Sequence, residues 1–73
     1  MWIELYDVYF PLKRLYGLTM STHQKEGECS IKIMQKGKSI IRCEGEEMEV
    51  VVVNTIRELN AWETKNRARE CER

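Results

Sequence analysis

Apolar and polar residues alternate most clearly in "CSIKIMQKGKSIIRC", residues 29 to 43. A period of two marks β-strands, whose successive side chains face opposite ways. Gln35-Lys36-Gly37 interrupts the alternation and suits a three-residue hairpin loop with Gly37 in the left-handed region. That loop sets Cys29 opposite Cys43, Ile31 opposite Ile41 and Ile33 opposite Ser39, a mostly apolar face. A two-residue loop would split this apolar set between the faces, so the longer loop is preferred.

Next comes "EEMEVVVVN", residues 46 to 54, with four consecutive valines. Read as a strand after the turn Glu44-Gly45-Glu46-Glu47, it pairs Cys43 with Met48, Ile41 with Val50 and Ser39 with Val52. On the reverse face Arg42 meets Glu49 and Ile40 meets Val51, both favourable cross-strand pairs. The expectation is a meander of strands at about 29–34, 39–44 and 48–53. "TIRE", residues 55 to 58, then matches a capping box and opens a helix over 55–70, with Ile56, Leu59 and Trp62 as its apolar stripe over Ile31, Ile41 and Val50. A rival reading runs one helix from Glu46 onward, since Met48, Val52, Ile56, Leu59 and Trp62 also have helical spacing. Four adjacent β-branched residues and an internal capping box weigh against it.

The N-terminal "MWIELYDVYF" fits both periods: Trp2, Leu5, Tyr9 and Leu12 are helical in spacing, whereas Trp2, Tyr6, Val8 and Phe10 suit a strand. Pro11 sits best at the first position of a helix, and Gly17 sits where one stops. Residues 2–9 are therefore expected as a strand and "PLKRLY" as a short helix. Residues 19–28 lack a hydrophobic period and read as a polar loop. Together the segments predict a small single α+β domain over 1–73. It comprises an aromatic-rich segment (1–18), the loop (19–28), a three- to four-stranded antiparallel meander (29–53) and a C-terminal helix (55–70) packed against it.

At 73 residues only a small core is available, a size at which disulfides, metals or oligomerisation often add stability. Twelve Lys and Arg balance twelve Asp and Glu, which argues against a broad nucleic-acid or membrane-surface footprint. No apolar run approaches the roughly 20 residues of a membrane span. The N-terminus carries Glu4 and Asp7 where a signal peptide would be basic, so a cytoplasmic location is expected.

The three cysteines, Cys29, Cys43 and Cys71, show no disulfide framework, and with His23 they lack the close ligand spacing of a zinc site. No metal or other cofactor is expected. The expected register does set Cys29 against Cys43, near disulfide distance, which raises a thiol switch as a third reading. The glutamates of the turn, Glu44, Glu46, Glu47 and Glu49, read as a solvated surface. No phosphate loop, nucleophile elbow or acid–base constellation appears, so the chain is expected not to be an enzyme.

The N-terminal aromatics hold the most functional promise, because Tyr and Trp are enriched at the energetic centres of protein interfaces. The expected interface comprises Trp2, Tyr6, Tyr9 and Phe10, with Val51 and Val53 on the sheet's second face beside Met34 and Ile40. That face would be covered by the N-terminal segment or by a second copy, and a two-fold homodimer enlarges a small core economically. The expected function is a non-catalytic, self-associating protein-binding module. In general character alone it resembles the accessory and inhibitor proteins of phages and mobile elements; no residue is carried over. The alternative is a regulatory nucleic-acid binder using Lys65, Arg67 and Arg69 of the last helix, interrupted by Glu63 and Glu70.

Overall fold

The computed structural model describes residues 2–71, with the backbone alone for residues 69–71. The chain runs α1 (Trp2–Tyr16), β1 (Leu18–Lys25), β2 (Glu28–Gln35), β3 (Lys38–Gly45) and α2 (Met48–Cys71). The α+β class and the antiparallel three-stranded meander packed against a C-terminal helix are as the sequence predicts. Which segments supply the elements differs in three places.

The first correction is at the N-terminus, where residues 2–9 are helical and continuous with the expected short helix. Leu5, Tyr9 and Leu12 lie at i, i+4 and i+7 and are all buried, so one helix face closes the core. Pro11 stands inside this helix, where its missing N–H leaves the Asp7 carbonyl without its amide partner, at a typical cost of about 3 kcal/mol. Burial of the three-residue stripe outweighs that penalty. Gly17 then ends the helix at φ 67°, its N–H bonded to the Lys13 carbonyl at 2.9 Å. This left-handed cap turns the chain directly into β1.

The second correction concerns the polar stretch, most of which is β1. Its second half, Ser21 to Lys25, is exposed on both faces, so no hydrophobic alternation marks it. Its backbone pairing with β2, from Leu18↔Gln35 to Lys25↔Glu28, holds it in place. Glu26-Gly27 forms the tight turn between them, with Gly27 at φ 74°.

The hairpin of β2 and β3 forms, but around a two-residue loop. Lys36 and Gly37 both have positive φ, 51° and 81°, the signature of a type I′ turn. A shorter loop alone would have separated the apolar positions. A bulge restores them: pairing passes from Met34↔Ser39 to Ile33↔Ile41, leaving Ile40 as an extra residue in β3. Beyond it the partners are Ile31↔Cys43 and Cys29↔Gly45, so Cys29 and Cys43 are diagonal rather than opposite.

The third correction is the valine segment, which is helical, as are the residues on either side of Thr55. Val51, Val52, Thr55 and Leu59 are fully buried, a helical stripe lying on the sheet. Thr55 does not cap a helix; its hydroxyl donates to the Val51 carbonyl one turn back, at 2.8 Å. Intrinsic reluctance of valine to enter helices is a few tenths of a kcal/mol per residue, roughly, against about 1.5–3 kcal/mol for fully burying one such side chain. Burial therefore wins. The glutamates before the valines lie at the start of α2, where negative charge complements the helix dipole.

Both helices pack on the same face of the sheet. One cluster joins Leu5, Tyr9 and Leu12 of α1, Leu18, Ile31, Ile33, Ile41 and Cys43 of the strands, and Val51, Val52 and Leu59 of α2. Gly45 lies where β3 meets α2: a Cβ there would stand 3.1 Å from Cγ2 of Val51. Tyr16 and Trp62 join the helices edge to face, with centroids 4.9 Å apart. Gln35 ties β2 to the end of α1 by donating to the Tyr16 carbonyl at 3.1 Å. Among the described residues, the other face of the sheet carries no helix.

Candidate binding surfaces

The most apolar exposed surface belongs to α1. Leu5, Tyr9 and Leu12 take its inner stripe, which leaves Trp2, Tyr6 and Phe10, each one turn apart, on an adjoining stripe. Their rings form a stacked ladder: Trp2–Tyr6 centroids are 5.9 Å apart and Tyr6–Phe10 centroids 5.1 Å apart, the latter nearly parallel at 11°. Phe10 is 49% exposed and neighbouring Ile3 74%. Three rings held by one helix present a preformed face that loses little side-chain freedom on contact.

Tyr9 belongs to the core rather than to this surface. Its ring meets Phe10 at a tilt, 5.7 Å between centroids, and its hydroxyl donates to the Leu18 carbonyl across 3.4 Å. Burial, with a smaller contribution from neighbouring Tyr6, raises the Tyr9 pKa above its ordinary value near 10. Of the two valines expected at an interface, Val51 is fully buried and Val53 is half exposed, as is Val50. Trp2, Tyr6 and Phe10 thus come together, whereas Tyr9 and Val51 lie beneath the surface.

On the C-terminal half of α2, Lys65 and Arg67 are exposed. Arg67 pairs with Glu63 at 3.3 Å, one turn away, so its charge is partly answered within the helix. The Arg69 side chain lies outside the described residues, as do those of Cys71 and Arg73.

The uncovered sheet face is polar. Ser21, His23, Ser30, Lys32 and Arg42 border a shallow hollow of about 260 Å³. Glu28 and Glu44 flank a second hollow beside it. Arg42 is held by Glu44 on the same strand, 2.7 Å from Nε to the carboxylate oxygen. Sequence patterning misses this surface because β1, its outer strand, shows no alternation. The tight Glu26-Gly27 turn, matched by Lys36-Gly37, is the signal that marks it.

Cys29 and Cys43 are buried free thiols, and Cys29 points its sulfur at the Glu46 carbonyl, 3.7 Å away. Diagonal placement removes the geometry on which a thiol switch depended. Among the described residues, no three His, Cys, Asp or Glu side chains gather as metal ligands. Among them, too, no helix is long and apolar enough to cross a membrane.

The fold and its surfaces define a two-layer α+β protein with an aromatic helix face on one side and an open polar sheet on the other. No family model, curated protein or solved structure matches the chain.

Proposed function

We propose that this protein is a non-catalytic binding module that docks through the aromatic face of α1, beginning with a second copy of itself. The observation carrying this reading is the Trp2–Tyr6–Phe10 ladder, in which Tyr6 and Phe10 are exposed and Trp2, half-buried, rests against the core. Such rings bury large areas on contact and are typical anchors of protein interfaces. Charge favours a copy of the same helix as the occupant. Glu4 lies in the first turn of α1, Asp7 in its second, and Lys13 and Arg14 in its last. Two such helices packed antiparallel across a two-fold axis set the acidic end of each toward the basic end of the other.

The alternative, a nucleic-acid binder using Lys65 and Arg67, has weaker support, because Glu63 already pairs with Arg67 and the chain has no net positive charge. Light scattering after size exclusion, over a concentration series, tests the proposal. The wild type is expected to reach twice the monomer mass as concentration rises. Phe10→Glu is expected to weaken association by about 2 kcal/mol or more, roughly thirtyfold, with an unchanged circular-dichroism spectrum. A wild type monomeric throughout, or a dimer indifferent to Phe10→Glu, overturns it.

A further inference from the structure

The open sheet face contains a juxtaposition that packing does not require. Along one row across the strands, Ser21 stands opposite Lys32, and Lys32 stands opposite Arg42. Directly opposed like charges destabilise a sheet. Lys32↔Arg42 is the single like-charge pair in the two ladders among the described residues. Its neighbours are better matched: Lys25 faces Glu28. In the next row His23 faces Ser30, and Ser30 faces Glu44.

Lys32 has no ion-pair partner among the described residues, while Arg42 has Glu44. The two cations therefore stand opposite each other on adjacent strands and line the hollow together with Ser21, Ser30 and His23. All of these side chains can donate hydrogen bonds.

We propose that this hollow binds a small phosphate monoester or inorganic phosphate, its oxygens shared between Lys32 and Arg42 and hydrogen-bonded by Ser21, Ser30 and His23. A phosphoryl dianion suits the set in three ways. It turns the repulsion between the two cations into two attractions. The Arg42 guanidinium keeps donors beyond those engaged by Glu44, and its fork matches phosphate oxygens. The hollow, about 260 Å³, is smaller than the usual cavity for a drug-sized ligand and suits a compact anion. Glu28 and Glu44 line the adjoining hollow and oppose a continuous polyanion, which separates this recognition from a nucleic-acid track. The surface is distinct from the aromatic face of α1, and the proposal stands independently of self-association.

Titration of the ¹⁵N-labelled full chain with inorganic phosphate at constant ionic strength, followed by amide shifts, tests it. A saturable response centred on Ser21, His23, Ser30, Lys32 and Arg42 is expected, with a dissociation constant on the order of 1 mM. Lys32→Ala and Arg42→Ala are each expected to weaken binding at least about tenfold, and Lys65→Ala to leave it unchanged. Glu44→Gln is expected to tighten binding roughly threefold, because it frees Arg42 and removes a competing negative charge. The exposure of all four positions makes folded variants the expectation, verified by their amide spectra. A non-saturating response, one spread over every basic residue, or one unmoved by Lys32→Ala and Arg42→Ala overturns the proposal. Binding of a single-stranded oligonucleotide with a salt dependence of several released ions, in place of phosphate binding, also overturns it in favour of a nucleic-acid surface.

Discussion

Single residues carry the main physical compromises of this chain, and Tyr9 is the most informative. Its ring is in the core and its hydroxyl reaches only a long hydrogen bond, so ionisation would place a charge in an apolar setting. Its folded pKa is raised above the unfolded value near 10, chiefly by burial. The sign follows from linkage: the folded state keeps the proton longer, so this stabilising contribution is whole below about pH 10 and is lost as pH rises through the folded pKa. Chemical denaturation from pH 8 to 11 should show the wild type losing more stability above about pH 10 than Tyr9→Phe does. Below that pH, Tyr9→Phe should cost about 1 kcal/mol or less, the value of one modest hydrogen bond. An equal alkaline decline in both proteins would contradict the assignment. Phe10, the next residue, faces outward in the aromatic ladder, so adjacent positions divide between core and surface. Composition does not reveal that division; the helical period does.

At the scale of elements, local turn chemistry and long-range burial sometimes point different ways. The Lys36-Gly37 turn requires positive φ at both central residues, which costs a lysine roughly 1–2 kcal/mol. Asn tolerates that region better. Lys36→Asn should therefore stabilise the protein by about 0.5–1 kcal/mol, read as a higher denaturation midpoint at unchanged slope. A drop in midpoint would mean that the Lys36 side chain makes a contact that the turn geometry does not reveal. The same hairpin shows how far local reasoning reaches. Its strands and its position were legible from the alternation of Ile31, Ile33 and Ile41. Its register was not, because Ile40 is absorbed in a bulge and no sequence period announces an unpaired residue. The valine segment carries two local signals of opposite sense: β-branching favours a strand, and the preceding glutamates favour a helix start. Val51, Val52, Thr55 and Leu59 decide for the helix, because that period buries all four against one sheet face.

At the scale of the whole molecule, placing both helices on one side leaves the sheet open on the other, and the strand order β1-β2-β3 makes β1 an edge. Only its first residues are anchored in the core; from Ser21 to Lys25 it is exposed. Hydrogen exchange should follow that gradient, with the β2 amides slowest and those bonded in the second half of β1 faster by at least about tenfold. Uniform protection across the three strands would mean that something else covers this edge, a second copy being the direct candidate. The sequence by itself determined the α+β class, the β2–β3 hairpin, the stop at Gly17 and the aromatic wealth of the N-terminus, because periodicity, turn residues and ring chemistry act over a few neighbouring positions. Tertiary structure alone decided that the valines are helical, that β1 is a strand, and that Tyr9 and Val51 are core while Tyr6 and Phe10 are surface. Those outcomes depend on which partner buries a side chain or completes a backbone ladder, and the partners lie far away along the chain.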